Sequence, residues 1–224
     1  TTALGRLVEV VAGTPFGRYR RSAVGRALSE VKLLPPCQPT KVLAMAVNYR
    51  THVRDGARHI GSEARVGEPQ PFLKAASAVI GPGEDIVLPP DAAPVHYEGE
   101  MVVVIGRRCR GVTPAQAMDY VLGVTCGNDV SAREWQRQDT QWWRAKGSDT
   151  FAPLGPWIVT GLDPSDLRLE LRLNGEVRQE ARTSELVHDA PHIVSHISRY
   201  LTLAPGDIIY TGTPGATGEL HPGD

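Results

Sequence analysis

His96-Tyr97-Glu98-Gly99-Glu100-Met101-Val102-Val103-Val104-Ile105-Gly106 is the stretch on which the fold turns. Its β-branched run, Val102 to Ile105, closes at a glycine and reads as a buried strand. Side chains alternate faces along a strand, so Glu98 and Glu100 share one face, about 7 Å apart along the chain. Two like charges there repel unless positive charge lies between them. An isolated Glu-x-Glu is ordinarily a solvated surface pair. Here the adjoining apolar run anchors both carboxylates at the margin of a core, and a hard divalent cation held by oxygen is the natural compensation.

The chain has 224 residues, 41% hydrophobic and 22% charged, with a formal net charge of −1. These are ordinary values for a globular protein with a substantial core. Such a charge offers no basic field for nucleic acid and no polybasic membrane anchor. Apolar runs stop short of a bilayer span, and residues 1 onward show no charged-then-apolar signal pattern. Cys37, Cys109 and Cys126 form no CxxC pair, so reduced thiols and a cytoplasmic setting are expected. The absence of an initial Met suggests a processed or partial chain.

Working outward, residues 1–38 read as a small N-terminal β segment, with Arg18–Arg21 as a solvated face. Pro35, Pro36 and Pro39 mark its boundary with a unit over 39–224. Strands are expected at Lys41–Val47, Pro71–Lys74, Ile86–Leu88, Val121–Cys126, Trp157–Val159 and Ile208–Tyr210. Alternating Leu167, Leu169, Leu171 and Leu173, then Asn174-Gly175 and residues 177–182, read as a type I′ hairpin. Thr113 and Pro114 open a short helix to about Val121. His188–Leu201 is an amphipathic helix, with His188, His192 and His196 preferred as a solvated face over a metal face. Trp135, Trp142 and Trp143 read as packing anchors.

Two further groups carry chemistry. Asp129, after the Val121–Cys126 strand, is a third acid able to complete an oxygen site for Mg²⁺, Mn²⁺ or Ca²⁺ if the fold brings it to the glutamates. His52 and Asp55, three apart, touch if they lie on a helical turn, and a carboxylate beside an imidazole suits a general base. Otherwise they are a surface ion pair. Residues 56–70 are glycine-rich and charged, as in a mobile loop or lid.

Taken in order, Asn48-Tyr49-x-x-His52, Pro71-Phe72-Leu73-Lys74, Glu98-Gly99-Glu100, Asn128–Arg133, Lys146-Gly147-Ser148-Asp149, Pro153-Leu154-Gly155-Pro156 and Thr211-Gly212-Thr213-Pro214 resemble the fumarylacetoacetate hydrolase family over residues 33–224. The resemblance implies an α+β, β-rich fold with a mixed β-roll or β-sandwich core and a few short helices. It implies a homodimer with Mg²⁺ or Mn²⁺ on Glu98, Glu100 and Asp129. Arg133, Gln136, Lys146 and Thr213 would then meet a small 2-oxo acid, with His52 as base, assisted by Asp55. Lys146 would add positive charge where an enolate develops. Hydrolysis of a C–C bond in an acylpyruvate-type substrate is the first expectation. Oxaloacetate decarboxylation and 2-hydroxyhepta-2,4-diene-1,7-dioate isomerisation or tautomerisation are alternatives, as is a non-catalytic metal-binding protein of the same fold. The chain departs from the family pattern at Asp55, where Glu is usual, and at Gly215-Ala216-Thr217-Gly218. It also lacks one or two closing strands, which suggests an incomplete C-terminus.

Overall fold

A computed structural model gives the structure of the chain and describes residues 6–14, 16–51 and 67–224. His52, Asp55 and most of the expected loop over 56–70 lie outside them. The strands are β1 (Arg6–Gly13), β2 (Tyr19–Ala27), β3 (Val42–Met45), β4 (Pro71–Lys74), β5 (Val79–Ile80), β6 (Val95–Tyr97) and β7 (Gly99–Ile105). They continue with β8 (Val121–Asn128), β9 (Ser131–Ala132), β10 (Ala152–Val159), β11 (Arg168–Leu173), β12 (Glu176–Arg182), β13 (Ile208–Tyr210) and β14 (Gly218–Glu219). Among the elements that lie wholly within the described residues, the α-helices α1 (Pro114–Ala117), α2 (Arg133–Gln138), α3 (Trp143–Gly147) and α4 (Ala190–Tyr200) join these strands in the α+β, β-rich fold expected from the sequence.

Seven strands form a curled mixed sheet in the order β4-β3-β13-β7-β8-β10-β5. β13 runs parallel to β3 and antiparallel to β7, which in turn pairs antiparallel with β8. The run Val102–Ile105 is uninterrupted because β7 is covered on both faces. Met101, Val103 and Ile105 pack with Ile193, Val194 and Ile197 of α4. Val102 and Val104 point the other way, against Val42, Ala44, Ile208 and Tyr210. Each such side chain contributes roughly 1.5–3 kcal/mol by leaving water. Glu100 shares the face of Val102 and Val104, so its carboxylate sits at the end of a packed apolar layer.

Local chemistry explains most element boundaries. Asn174 and Gly175 adopt φ of 52° and 82°, the two positive values that a type I′ turn needs between β11 and β12. Asp189 caps α4 by accepting from the His192 amide, and Pro191 lies in the first turn. The expected helix after Thr113 is α1 followed by a 3₁₀ turn at Met118–Tyr120.

Ile86–Leu88, expected as a strand, is not one. Flanked by Gly81-Pro82-Gly83 and Pro89-Pro90, it has no ladder partner among the described residues, and the Val87 amide donates to the Thr150 hydroxyl at 2.8 Å. The small sheet β14-β6-β9 has strands of two or three residues, too short for any periodicity to show. It is nevertheless what leads the chain into Glu98.

Candidate metal centre

The β7–β8 register brings the three acids together. Gly99 lies opposite Asn128 and Glu100 opposite Gly127, so Asp129, just past the end of β8, falls beside Glu98. Two bonds lock this corner: the Glu98 amide donates to Asn128 Oδ1 and the Asp129 amide donates to the Glu98 carbonyl, both at 2.8 Å. Gly127 is required here, since a Cβ would lie 2.4 Å from Cε1 of Tyr210.

Ligand oxygens of Glu98, Glu100 and Asp129 lie within 4.8 Å of one another, and all three residues are buried. Lys146 Nζ bridges Glu98 Oε2 and Asp129 Oδ2, each at 2.7 Å. Lys74 pairs with the other Asp129 oxygen. Arg133 Nη2 donates to Glu98 Oε1 at 2.5 Å and to Thr217 Oγ1 at 3.0 Å, while Nη1 reaches Gln136 Oε1 at 2.9 Å.

Glu100 is treated differently. Its carboxylate accepts from the Gly212 amide at 2.5 Å and makes no salt bridge among the described residues. Burial, then the neighbouring charges of Asp129 and Glu98, push its pKa well above the usual carboxylate value. Burial lowers the Lys74 pKa, against the pull of Asp129. Burial also opposes the charge on Lys146, but Asp129 and Glu98 outweigh it and raise that pKa. Three crowded, buried oxygen donors, one of them without a cation, fit a hard divalent ion.

One pocket gathers most of the sequence-derived site residues. Glu98, Glu100, Arg133, Gln136, Lys146 and Thr213 form its polar side, and Met45, Val47, Phe72 and Trp142 its apolar side. Val47 is held there at a φ of 51°, a conformation rare for a β-branched residue. The acid trio is the single cluster of three or more potential metal ligands among the described residues. His192 instead contacts Asp189 at 2.6 Å on an exposed surface, so the solvated reading of the His188, His192 and His196 face stands for that residue. Trp135 is a packing anchor, but Trp143 is 71% exposed.

The sequence assigned no role to four residues that build this site: Lys74, Asn48, Gln179 and Thr217. Asn48 straps the site loops by donating to the carbonyls of His188 and Thr211. Asn48, Lys74 and Gln179 matter through burial and partly buried Thr217 through its bond to Arg133, and a single sequence has no periodic signal for either.

Fold and site define a β-rich protein with a buried oxygen-donor centre at one end of a curled mixed sheet. The chain belongs to the fumarylacetoacetate hydrolase family, whose profile "Fumarylacetoacetate (FAA) hydrolase C-terminal" matches residues 41–224. A crystal structure of 5-carboxymethyl-2-hydroxymuconate delta-isomerase from Mycobacterium smegmatis is 49% identical, with a TM-score of 0.86, covering 95% of this chain and 80% of that one. The Bos taurus mitochondrial oxaloacetate tautomerase FAHD2A is 42% identical over 220 residues, 92% of this chain and 68% of the relative. Maleylpyruvate hydrolase from Sphingobium sp. SYK-6, in complex with manganese(II) and pyruvate, is 36% identical with a TM-score of 0.75, covering 90% and 70%.

Proposed function

We propose that the protein is a divalent-metal-dependent enzyme that moves protons on a small 2-oxo acid through an enolate, as an isomerase or tautomerase. The observation that carries this reading is the buried convergence of Glu98, Glu100 and Asp129 within 4.8 Å, beside Lys146 and Arg133. When ionised, these acids are formally cancelled by Lys74, Lys146 and Arg133. A dication added to them leaves two positive charges, which the carboxylate and enolate oxygens of a 2-oxo acid match.

Glu98, Glu100 and Asp129 would hold the ion, Mg²⁺ or Mn²⁺, with Ca²⁺ compatible with the same donors. Such an ion supplies Lewis acidity at a keto oxygen. Lys146 places positive charge where the enolate develops. Arg133 addresses the substrate carboxylate, and its Nε is buried without a partner among the described residues. Gln136 orients that guanidinium, Thr213 lines the wall beside it, and Phe72 and Trp142 limit water. His52, assisted by Asp55, would transfer the proton. The catalytic unit is residues 39–224, with 1–38 as a small β segment.

Isomerase and tautomerase relatives at 49% and 42% identity support proton transfer ahead of the C–C hydrolysis expected from the sequence. Hydrolysis of an acylpyruvate is the second reading, favoured by the maleylpyruvate hydrolase likeness. We also propose a homodimer, because Leu73, Val87 and Trp143 expose 59%, 61% and 71% of their surfaces around one groove.

The test is a screen of a 2-hydroxydienedioate, enol-oxaloacetate and acetylpyruvate with Mg²⁺ and Mn²⁺. Ketonisation or isomerisation faster than pyruvate or CO₂ release is expected. Dominant pyruvate release from acetylpyruvate selects hydrolysis, dominant CO₂ release selects decarboxylation, and cation binding with no turnover overturns the enzyme reading. His52→Ala separates hydrolysis from decarboxylation, since hydrolysis requires activation of water and decarboxylation does not.

A further inference from the structure

Gln179 is buried on a strand that otherwise faces water. Apart from Ala181, the other side chains of β12 are exposed, whereas Gln179 is 2% exposed. Its amide serves residues outside its own hairpin. Oε1 accepts from the Gly99 amide at 2.8 Å, and Nε2 donates to Thr213 Oγ1 at 2.9 Å and to the Pro214 carbonyl at 3.0 Å. Thr213 Oγ1 in turn donates to the Gly99 carbonyl at 3.0 Å, which closes a ring of hydrogen bonds.

The two anchored points are informative. Gly99 lies between Glu98 and Glu100, and Thr213 lines the acidic pocket. The loop that begins at Gly212 also donates to Glu100 and, through the Thr217 hydroxyl, accepts from Arg133. The hairpin presses on the acid strand closely enough that a Cβ at Gly99 would lie 3.0 Å from Leu171.

We propose that Gln179 is a positioning residue that acts through Thr213 and Gly99. It holds the 212–217 loop against the acid-bearing strand and so sets the rim that receives the substrate, an inference that rests on the pocket being the substrate site. A neutral amide suits the task because it accepts at one end and donates twice at the other. Glutamate has the same reach but only accepts, and it would add a fourth carboxylate beside three. Methionine has the length and neither function.

Gln179→Met and Gln179→Glu in the full chain, loaded with Mn²⁺, test the role. Gln179→Met is expected to raise KM for the 2-oxo acid about tenfold or more, with kcat and Mn²⁺ affinity within about threefold of wild type. Hydrogen exchange should quicken over residues 212–217 and at the Gly99 amide, which loses its acceptor, and stay unchanged over residues 100–105, β8 and β13. Gln179→Glu should raise KM further. An unchanged KM overturns the proposal, and so does faster exchange spread evenly through the sheet, which would make Gln179 a general packing residue. If Gln179→Met does not fold, Gln179→Glu carries the same measurements. A wild-type protein that binds no Mn²⁺ or turns over no 2-oxo acid breaks the functional reading instead, and the exchange pattern then decides on Gln179 alone.

Discussion

Two buried carboxylate sites lie at opposite ends of the β7–β13 pair, and the structure treats them in opposite ways. Asp207 precedes β13 at the end where the Ile105 amide donates to its carbonyl. Its side chain accepts from Thr40 N and Oγ1, Lys41 N and Nζ, and the Ala204 amide, at 2.7–3.1 Å. Burial opposes its charge, but bonds from Lys41, Ala204 and Thr40 prevail and hold its pKa below the usual value. At the other end Glu100 has one backbone donor and two carboxylate neighbours, and its pKa goes up. A buried acid supplied with donors ties the fold together. Acids buried against one another leave an electrostatic deficit, and such deficits mark functional sites.

The largest effect expected from this contrast is on turnover. Glu100→Gln or Asp129→Ala should lower kcat by more than about a thousandfold and abolish Mn²⁺ binding, read by electron paramagnetic resonance. The metal-free Glu100→Gln protein should melt no lower than wild type, because one of three crowded charges has gone. Either variant working at full rate in excess chelator would break the comparison at the acidic end.

Asp207→Asn should do the reverse. The Asp207 side chain is fully buried, so losing its charged acceptor leaves Lys41 and several amides short of a partner. A cost of roughly 2–4 kcal/mol is expected in urea unfolding. Mn²⁺ affinity and the activity of the folded fraction should be unchanged. A milder probe separates the ends again: Mn²⁺ at about 100 times its Kd should stabilise wild type by about 2.7 kcal/mol and Asp207→Asn by as much, but Glu100→Gln by nothing.

How much of this contrast the sequence discloses depends on what each residue packs against. Val102–Ile105 was legible because a strand covered on both faces needs an unbroken apolar run, and α4 because one face alone is buried. Asn174-Gly175 announced its turn through backbone chemistry alone. The acids were legible as a set, yet their meeting rests on the β7–β8 register, a long-range fact that no local pattern encodes. Gln179 was hidden between Arg178 and Glu180 in what reads as a solvated run, and Lys74 at the end of a partly exposed strand. Ile86–Leu88 failed in the other direction: apolar composition suggested a strand, but among the described residues no strand pairs with it.

The smallest expected effect is the pH dependence of the Asp207 end, and its sign follows from the direction of the shift. The folded-state pKa of Asp207 lies below its ordinary value of 3.8. Its contribution is therefore fully present above that ordinary value and is lost as pH falls through the folded one. Asn at this position does not titrate, so the stability gap between wild type and Asp207→Asn should be flat from about pH 7 to pH 5 and should narrow below 3.8. Urea melts of both proteins at pH 7, 5, 4 and 3 measure that gap directly. A gap that persisted undiminished at pH 3 with the fold intact would mean that the donors around Asp207 hold an uncharged acid just as well. The lowered pKa would then be no guide to its role, and the distinction between a satisfied end and a crowded end would lose its physical basis.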